Sequence, residues 1–157
     1  MKFAEFKTQI EETYKSKFGK SHVKCHIWKC LGKSIIAIDM RLAENLRECP
    51  YQIADNDMIR AGFLIRLPDR WTEENDLPEN LTMEAIKATI KIKPVESWLY
   101  CSGRKISYRK TTGSAEKLIL AFGKFVDRLH TAIVEEYNNN NLLDFDMELV
   151  RNKHYAA

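Results

Sequence analysis

Alternation of apolar and polar residues over several short segments is the feature that most constrains the fold of this chain. In residues 57–67 apolar side chains occupy every second position, and Pro68, which cannot continue a ladder of backbone hydrogen bonds, follows them. A period of two predicts a strand with one buried face. Residues 83–93 show the same pattern, with Ile86 and Ala88 predicted on the buried face. About six strands are predicted, at residues 22–29, 34–42, 57–67, 83–93, 97–101 and 105–110.

Two longer segments instead carry apolar residues at helical spacing, and they flank the strands. Residues 3–18 predict an N-terminal helix, and residues 114–137 predict a long helix that begins at a serine N-cap. A short terminal helix is predicted over residues 143–152. Short connections imply antiparallel strands, and one apolar sheet face must be covered. We therefore expect a single α+β domain over residues 1–157, with the long C-terminal helix packed on the inner face of an antiparallel sheet.

The composition excludes several classes of protein. No apolar run reaches the ~20 residues that span a bilayer, and the N-terminus lacks the apolar segment of a signal peptide. We therefore expect a cytoplasmic protein with no membrane partner, whose four cysteines are reduced thiols. The net charge of +3 is too small to imply a nucleic-acid binder by itself, so the distribution of charge has to decide.

The predicted outer faces of the strands are strongly basic. Ten basic residues fall in the outward phase, whereas Asp39 is the one acid in phase with them. Between residues 43 and 80 the balance is opposite, with nine acids and four arginines. A basic sheet face can neutralise phosphates, although lysines on strands also serve to discourage aggregation. The ten residues are Lys24, Lys33, Arg41, Arg60, Arg66, Lys87, Lys91, Lys93, Lys105 and Arg109.

These charges predict a non-enzymatic binding module whose most favoured partner is nucleic acid, bound with little sequence preference through its phosphates. A slip of one residue in any strand would exchange its two faces, so an inert solvated face remains the main alternative. Trp28 is the candidate for stacking on a base. The predicted phosphate contacts are Lys87, Lys91, Lys93, Lys105 and Arg109, followed by Arg60 and Arg66.

Two other classes of function stay open. The chain could be a protein-binding adaptor or inhibitor, because an acidic loop over residues 68–80 surrounds a tryptophan that could anchor a partner. An accessory protein of a phage or mobile element is one example of this class. A small-ligand carrier, with a cavity between sheet and helix, is the second alternative. The residues of the adaptor hypothesis are Trp71, Glu73, Glu74 and Asp76.

Catalytic and metal-binding patterns are weak. Gly-Lys-Ser occurs twice, but neither copy has the glycine five residues upstream that a phosphate-binding loop requires. His22 and His26 would lie about 13 Å apart on one strand, with Cys25 on the opposite face, so they do not converge as zinc ligands. No local sequence joins a cysteine nucleophile to a histidine base. We therefore predict no enzyme activity, no cofactor and no metal site.

Overall fold

The computed structural model describes residues 1–19, 22–43, 57–92 and 102–139. The predicted strand 97–101 and the predicted helix 143–152 lie outside these residues. The elements are α1 (Phe3–Phe18), β1 (His22–Cys30), β2 (Lys33–Ala43), β3 (Asp57–Arg66), β4 (Leu81–Ile92), β5 (Ser102–Lys105), β6 (Thr111–Gly113) and α2 (Ala115–Asn139).

The strands form one antiparallel sheet in the order β1-β2-β3-β4-β5, and the three-residue β6 pairs with the opposite end of β4. The predicted α+β architecture is confirmed, with five strands on the continuous path and β6 beside it. The predicted strand 105–110 is wrong, because β5 ends at Lys105 and residues 106–110 connect it to β6 without strand structure. None of the helices within the described ranges is long and apolar enough to cross a lipid bilayer.

Both helices cover one face of the sheet, which we call the inner face. The apolar stripe of α1 is buried from Phe3 to Phe18, as its spacing predicts. Phe63 of β3 lies at the centre of the core, where its ring meets the ring of Phe125 edge-on at 4.9 Å and that of Phe122 at 6.0 Å. These rings fill the interface between the sheet and α2 around Phe63.

The hairpin between β1 and β2 turns through two residues with positive φ, Leu31 (52°) and Gly32 (77°). Cys30 and Lys33 pair directly across this turn. Two-residue hairpins favour this mirror-image turn because its twist matches that of the strands. Glycine adopts a positive φ freely, whereas leucine does so at a cost, and the Leu31 side chain is 96% exposed.

An extra residue in β4 shifts its alternation. The pairing passes from Phe63 opposite Ala85 to Gly62 opposite Lys87, so Ile86 has no partner in β3. Ile86 was predicted on the inner face but is 61% exposed, and the prediction is wrong because a β-bulge exchanges the faces on its two sides. The same shift buries Met83 and exposes Glu84, which becomes a second acid on the outer face.

At the edge of the described sheet, Glu11 of α1 joins β1. The backbone N–H of Cys25 donates a hydrogen bond of 3.0 Å to the Glu11 carboxylate. The Cys25 side chain is fully buried, as predicted for a cysteine on the inner face. Burial, with a smaller contribution from the nearby Glu11 carboxylate and partly opposed by Lys7, raises the pKa of this thiol to about 12. Cys25 is therefore a neutral core residue at neutral pH.

Candidate nucleic-acid interface

The candidate site is the sheet face turned away from α1 and α2, which we call the outer face. The cross-strand register and the alternation with buried core residues define its members. No helix among the described residues packs against it. Its described residues are Lys24, His26, Trp28, Lys33, Ile35, Ala37, Asp39, Gly62, Leu64, Arg66, Glu84 and Ile86.

One row of this face joins an aromatic ring to a cation. Trp28 is directly opposite Ile35, and Ile35 is directly opposite Arg66. Trp28 is 54% exposed, and Arg66 is also exposed. The two residues lie two strands apart, so the spacing between strands puts their backbones about 10 Å from each other. Lys33 is exposed two residues before Ile35. The row therefore offers a ring that can stack and one positive charge, and Lys33 adds a second charge in the adjacent row.

The middle of the outer face is less basic than the sequence predicts. Asp39 faces Gly62, and its carboxylate lies 3.9 Å from the Nδ1 atom of His26. Glu84 is exposed opposite the half-buried Leu64. Asp39 is directly opposite Lys24, and Glu84 lies in the next row, between the row of Asp39 and the row of Arg66. Positive charge among the described side chains is found at the rim of the face, not in its middle.

The remaining predicted phosphate contacts are located by the backbone register. Arg41 is directly paired with Arg60, and the row continues to Thr89 and then to Lys105. Three positions of this row are basic residues, and the row lies next to that of Asp39 and Gly62, since Arg41 comes two residues after Asp39 and Arg60 two residues before Gly62.

Other predicted contacts are dispersed. Lys87 pairs with Gly62 at the bulge, and Lys91 pairs with Gly103 near the end of β4. Arg109 is exposed in the connection between β5 and β6, and Lys93 lies outside the described residues. The structure therefore brings Arg60 and Lys105 into one row with Arg41, while Arg109 belongs to a different part of the molecule's surface.

The loop of the adaptor hypothesis folds back onto the protein. Trp71 is half-buried against the core, and its indole N–H donates a hydrogen bond of 3.0 Å to the backbone carbonyl of Asp76. The Asp76 carboxylate lies 3.5 Å from the Lys2 ammonium and 3.8 Å from the N-terminal ammonium. Trp71, Glu73 and Glu74 border a cleft of ≈ 220 Å³, whose other walls are Ile27, Lys29, Ser34 and Thr72.

The histidine and cysteine positions of the zinc hypothesis separate as the strand geometry predicts. Cys25 is buried on the inner face, whereas His26 lies on the outer face beside Asp39. Within the described ranges, no group of three or more histidine, cysteine, aspartate or glutamate residues could hold a metal ion.

Sequence analysis missed the apolar middle of the outer face. Ile35, Ala37 and Leu64 are in the outward phase, and the signal was present, because residues 35–38 and 63–65 are apolar runs without polar alternation. Such runs indicate strands that are apolar on both faces.

Comparisons with protein-family models, curated protein sequences and solved structures find no match. The site's own geometry is therefore the basis for a functional proposal.

Proposed function

We propose that this protein is a non-enzymatic binding module that holds nucleic acid on its outer face, mainly through phosphates and with little sequence preference. The observation that supports it best is the exposed ring of Trp28 on the same open face as Lys24, Lys33 and Arg66. Lysine and arginine release condensed counterions when they neutralise phosphates, and an exposed indole stacks on any base. Together these two contributions give affinity without base-specific hydrogen bonds.

The register supplies a second argument. Arg41 is directly paired with Arg60, and Lys105 lies in the same row of positions. Three of the four positions from Arg41 to Lys105 in this row are therefore basic residues in the sequence, a composition that favours a partner with repeated negative charges, such as nucleic acid.

The test compares two pairs of charge reversals. Lys24→Glu with Arg66→Glu alters the rim of the outer face, and Lys117→Glu with Lys124→Glu alters exposed positions of α2. Each pair changes the net charge by the same amount. Fluorescence anisotropy with labelled oligonucleotides at low salt should show affinity weakened by roughly tenfold or more for the first pair only. Equal effects of both pairs would mean that net charge, and not the outer face, governs binding.

A second candidate function is supported by the cleft beside Trp71. Its wall combines Trp71 with two acids, Glu73 and Glu74, against the cation Lys29, and this balance favours a lysine or arginine side chain of a partner protein. Asp76 would not take part directly, since its carboxylate lies beside Lys2 and the N-terminal ammonium. This site would serve an adaptor or inhibitor that recognises a basic peptide.

Peptide binding gives this second function its own test. An arginine-rich peptide titrated into the protein should bind the wild type and lose affinity with Glu73→Gln and Glu74→Gln combined. Glu5→Gln with Glu12→Gln, at exposed positions of α1, is the matched control. Equal binding by the wild type and both double variants would remove the cleft as a peptide site.

A further inference from the structure

The outer face carries an exposed apolar centre that phosphate binding alone does not explain. Trp28 is 54% exposed and Ile86 is 61% exposed, with the half-buried Ile35 and Leu64 lying between them. Ile86 lies beside Gly62 on this face, because a Cβ atom added to Gly62 would lie 3.8 Å from the Cδ1 atom of Ile86. Neighbouring exposed apolar residues rimmed by polar ones are typical of interaction sites. The partner must therefore offer apolar surface as well as negative charge.

Acids in the centre of the face determine which part of a nucleic acid can lie there. Asp39 and Glu84 would repel a phosphate placed over the middle of the sheet, whereas Lys24, Lys33 and Arg66 attract phosphates at the rim. A carboxylate can accept hydrogen bonds from the exocyclic amino groups of bases. The charge pattern therefore favours bases over the centre and the sugar–phosphate backbone over the rim.

We infer that the outer face binds single-stranded nucleic acid, with unpaired bases lying flat against Trp28 and the apolar centre. This inference rests on the proposed nucleic-acid function and makes it more specific. In a duplex the faces of the bases are stacked on each other, so they are not available to an exposed indole ring. A single strand can turn its bases toward the sheet, which is how exposed aromatic side chains hold unpaired nucleotides.

The first experiment measures strand preference. Labelled oligonucleotides of one sequence, single-stranded and annealed to their complement, are titrated with full-length protein at equal salt. We expect the single strand to bind at least about fivefold more tightly, since a stacked base contributes a factor of about five or more. Equal or tighter binding of the duplex would overturn the inference and leave the proposed function intact. Absence of binding by either form at low salt would overturn both.

The second experiment tests the stacking residue. Trp28→Ala should weaken single-strand binding about 5- to 150-fold, the range for loss of one stacked base, and leave duplex binding unchanged. Trp28→Phe should recover part of the loss, because phenylalanine keeps a smaller aromatic face. Leu120→Ala is the control, because Leu120 is 69% exposed on α2. Urea denaturation of each variant checks that it folds, and Trp28→Phe keeps the test decisive if the alanine variant does not.

A second copy of the chain is the competing occupant of an apolar sheet face. Sedimentation velocity over a range of protein concentrations distinguishes the two. We expect monomers without oligonucleotide, and a complex whose formation Trp28→Ala weakens. A dimer that Trp28→Ala dissociates, together with no preference for single strands, would assign the apolar centre to self-association and overturn the inference.

Discussion

The hydrogen bond between Glu11 and β1 gives a prediction that can be worked out in detail. Glu11→Ala removes the acceptor 3.0 Å from the Cys25 N–H and leaves that donor unpaired beside a fully buried side chain. A hydrogen bond to a charged group contributes about 1.5–3 kcal/mol, and an unsatisfied buried donor costs a similar amount. For a chain of this size, such a loss lowers the midpoint of thermal unfolding by about 3–10 °C.

Two measurements check this prediction, with Glu12→Ala as the control because Glu12 is exposed on the same helix. Thermal unfolding followed by circular dichroism should separate the two variants by the amount given above. Hydrogen exchange should accelerate most at the Cys25 amide, because that is the donor released. Glu11→Gln should fall between, since it keeps an acceptor without the charge. Equal melting of Glu11→Ala and Glu12→Ala would refute the proposed role of this hydrogen bond.

Three further predictions follow from individual residues. Leu31→Asn should raise the free energy of unfolding by about 0.5–1 kcal/mol, because asparagine tolerates positive φ and the exposed Leu31 side chain loses no burial. Leu31→Ala should show no such gain in urea denaturation, because alanine has no polar side chain to hydrogen-bond the local backbone. Phe63→Ala should lower the free energy of unfolding by about 3–5 kcal/mol in the same assay, since it empties the aromatic centre of the core. A smaller loss of stability than that of an exposed-site variant such as Leu120→Ala would contradict the packing described. The Cys25 thiol, with its pKa raised from 9.0 to about 12 by burial, stabilises the folded state fully below pH 9 and loses this contribution as the pH rises toward 12. Between about pH 8 and about pH 10, the free energy of unfolding should therefore fall by about 1.4 kcal/mol more in the wild type than in Cys25→Ala. Parallel pH profiles of the two proteins would contradict the raised pKa of the Cys25 thiol.

Local sequence patterns predict most of the described fold because the pattern and the burial agree there. The apolar spacing of residues 3–18 matches α1 to the residue, and alternation over 57–67 locates β3 within one residue of its end. Ser114 caps α2 as expected, since its hydroxyl accepts a hydrogen bond of 3.3 Å from the Lys117 N–H. These signals are local, so no long-range information is needed to use them.

The bulge in β4 could not be predicted in the same way. Alternation with a period of two assigns successive residues of a strand to opposite faces of the sheet. A single extra residue at Ile86 reverses this assignment for the residues before it, including Met83 and Glu84. Its location depends on how β4 pairs with β3, which is a tertiary property. Gly62 in the outward phase of β3 was a hint of irregularity, and the register shift does occur beside it.

The candidate site was only partly predictable for a related reason. Trp28 and Arg66 could each be assigned to the outer face from alternation, but their alignment in one row through Ile35 requires the register. The pairing of Arg41 with Arg60 likewise depends on register and not on sequence distance. The half-buried state of Trp71 follows from its hydrogen bond to Asp76, which no local pattern indicates.

The most direct test of the central claim is the salt dependence of oligonucleotide binding by the wild-type protein. For six phosphate contacts with a single strand, a rise from about 50 mM to about 200 mM salt should weaken the affinity by roughly 300-fold. We predict measurable binding at the lower concentration and a linear decline of log affinity with log salt. Absence of binding at the lower concentration, or affinity that does not change with salt, would contradict the account of the outer face as a phosphate-binding surface.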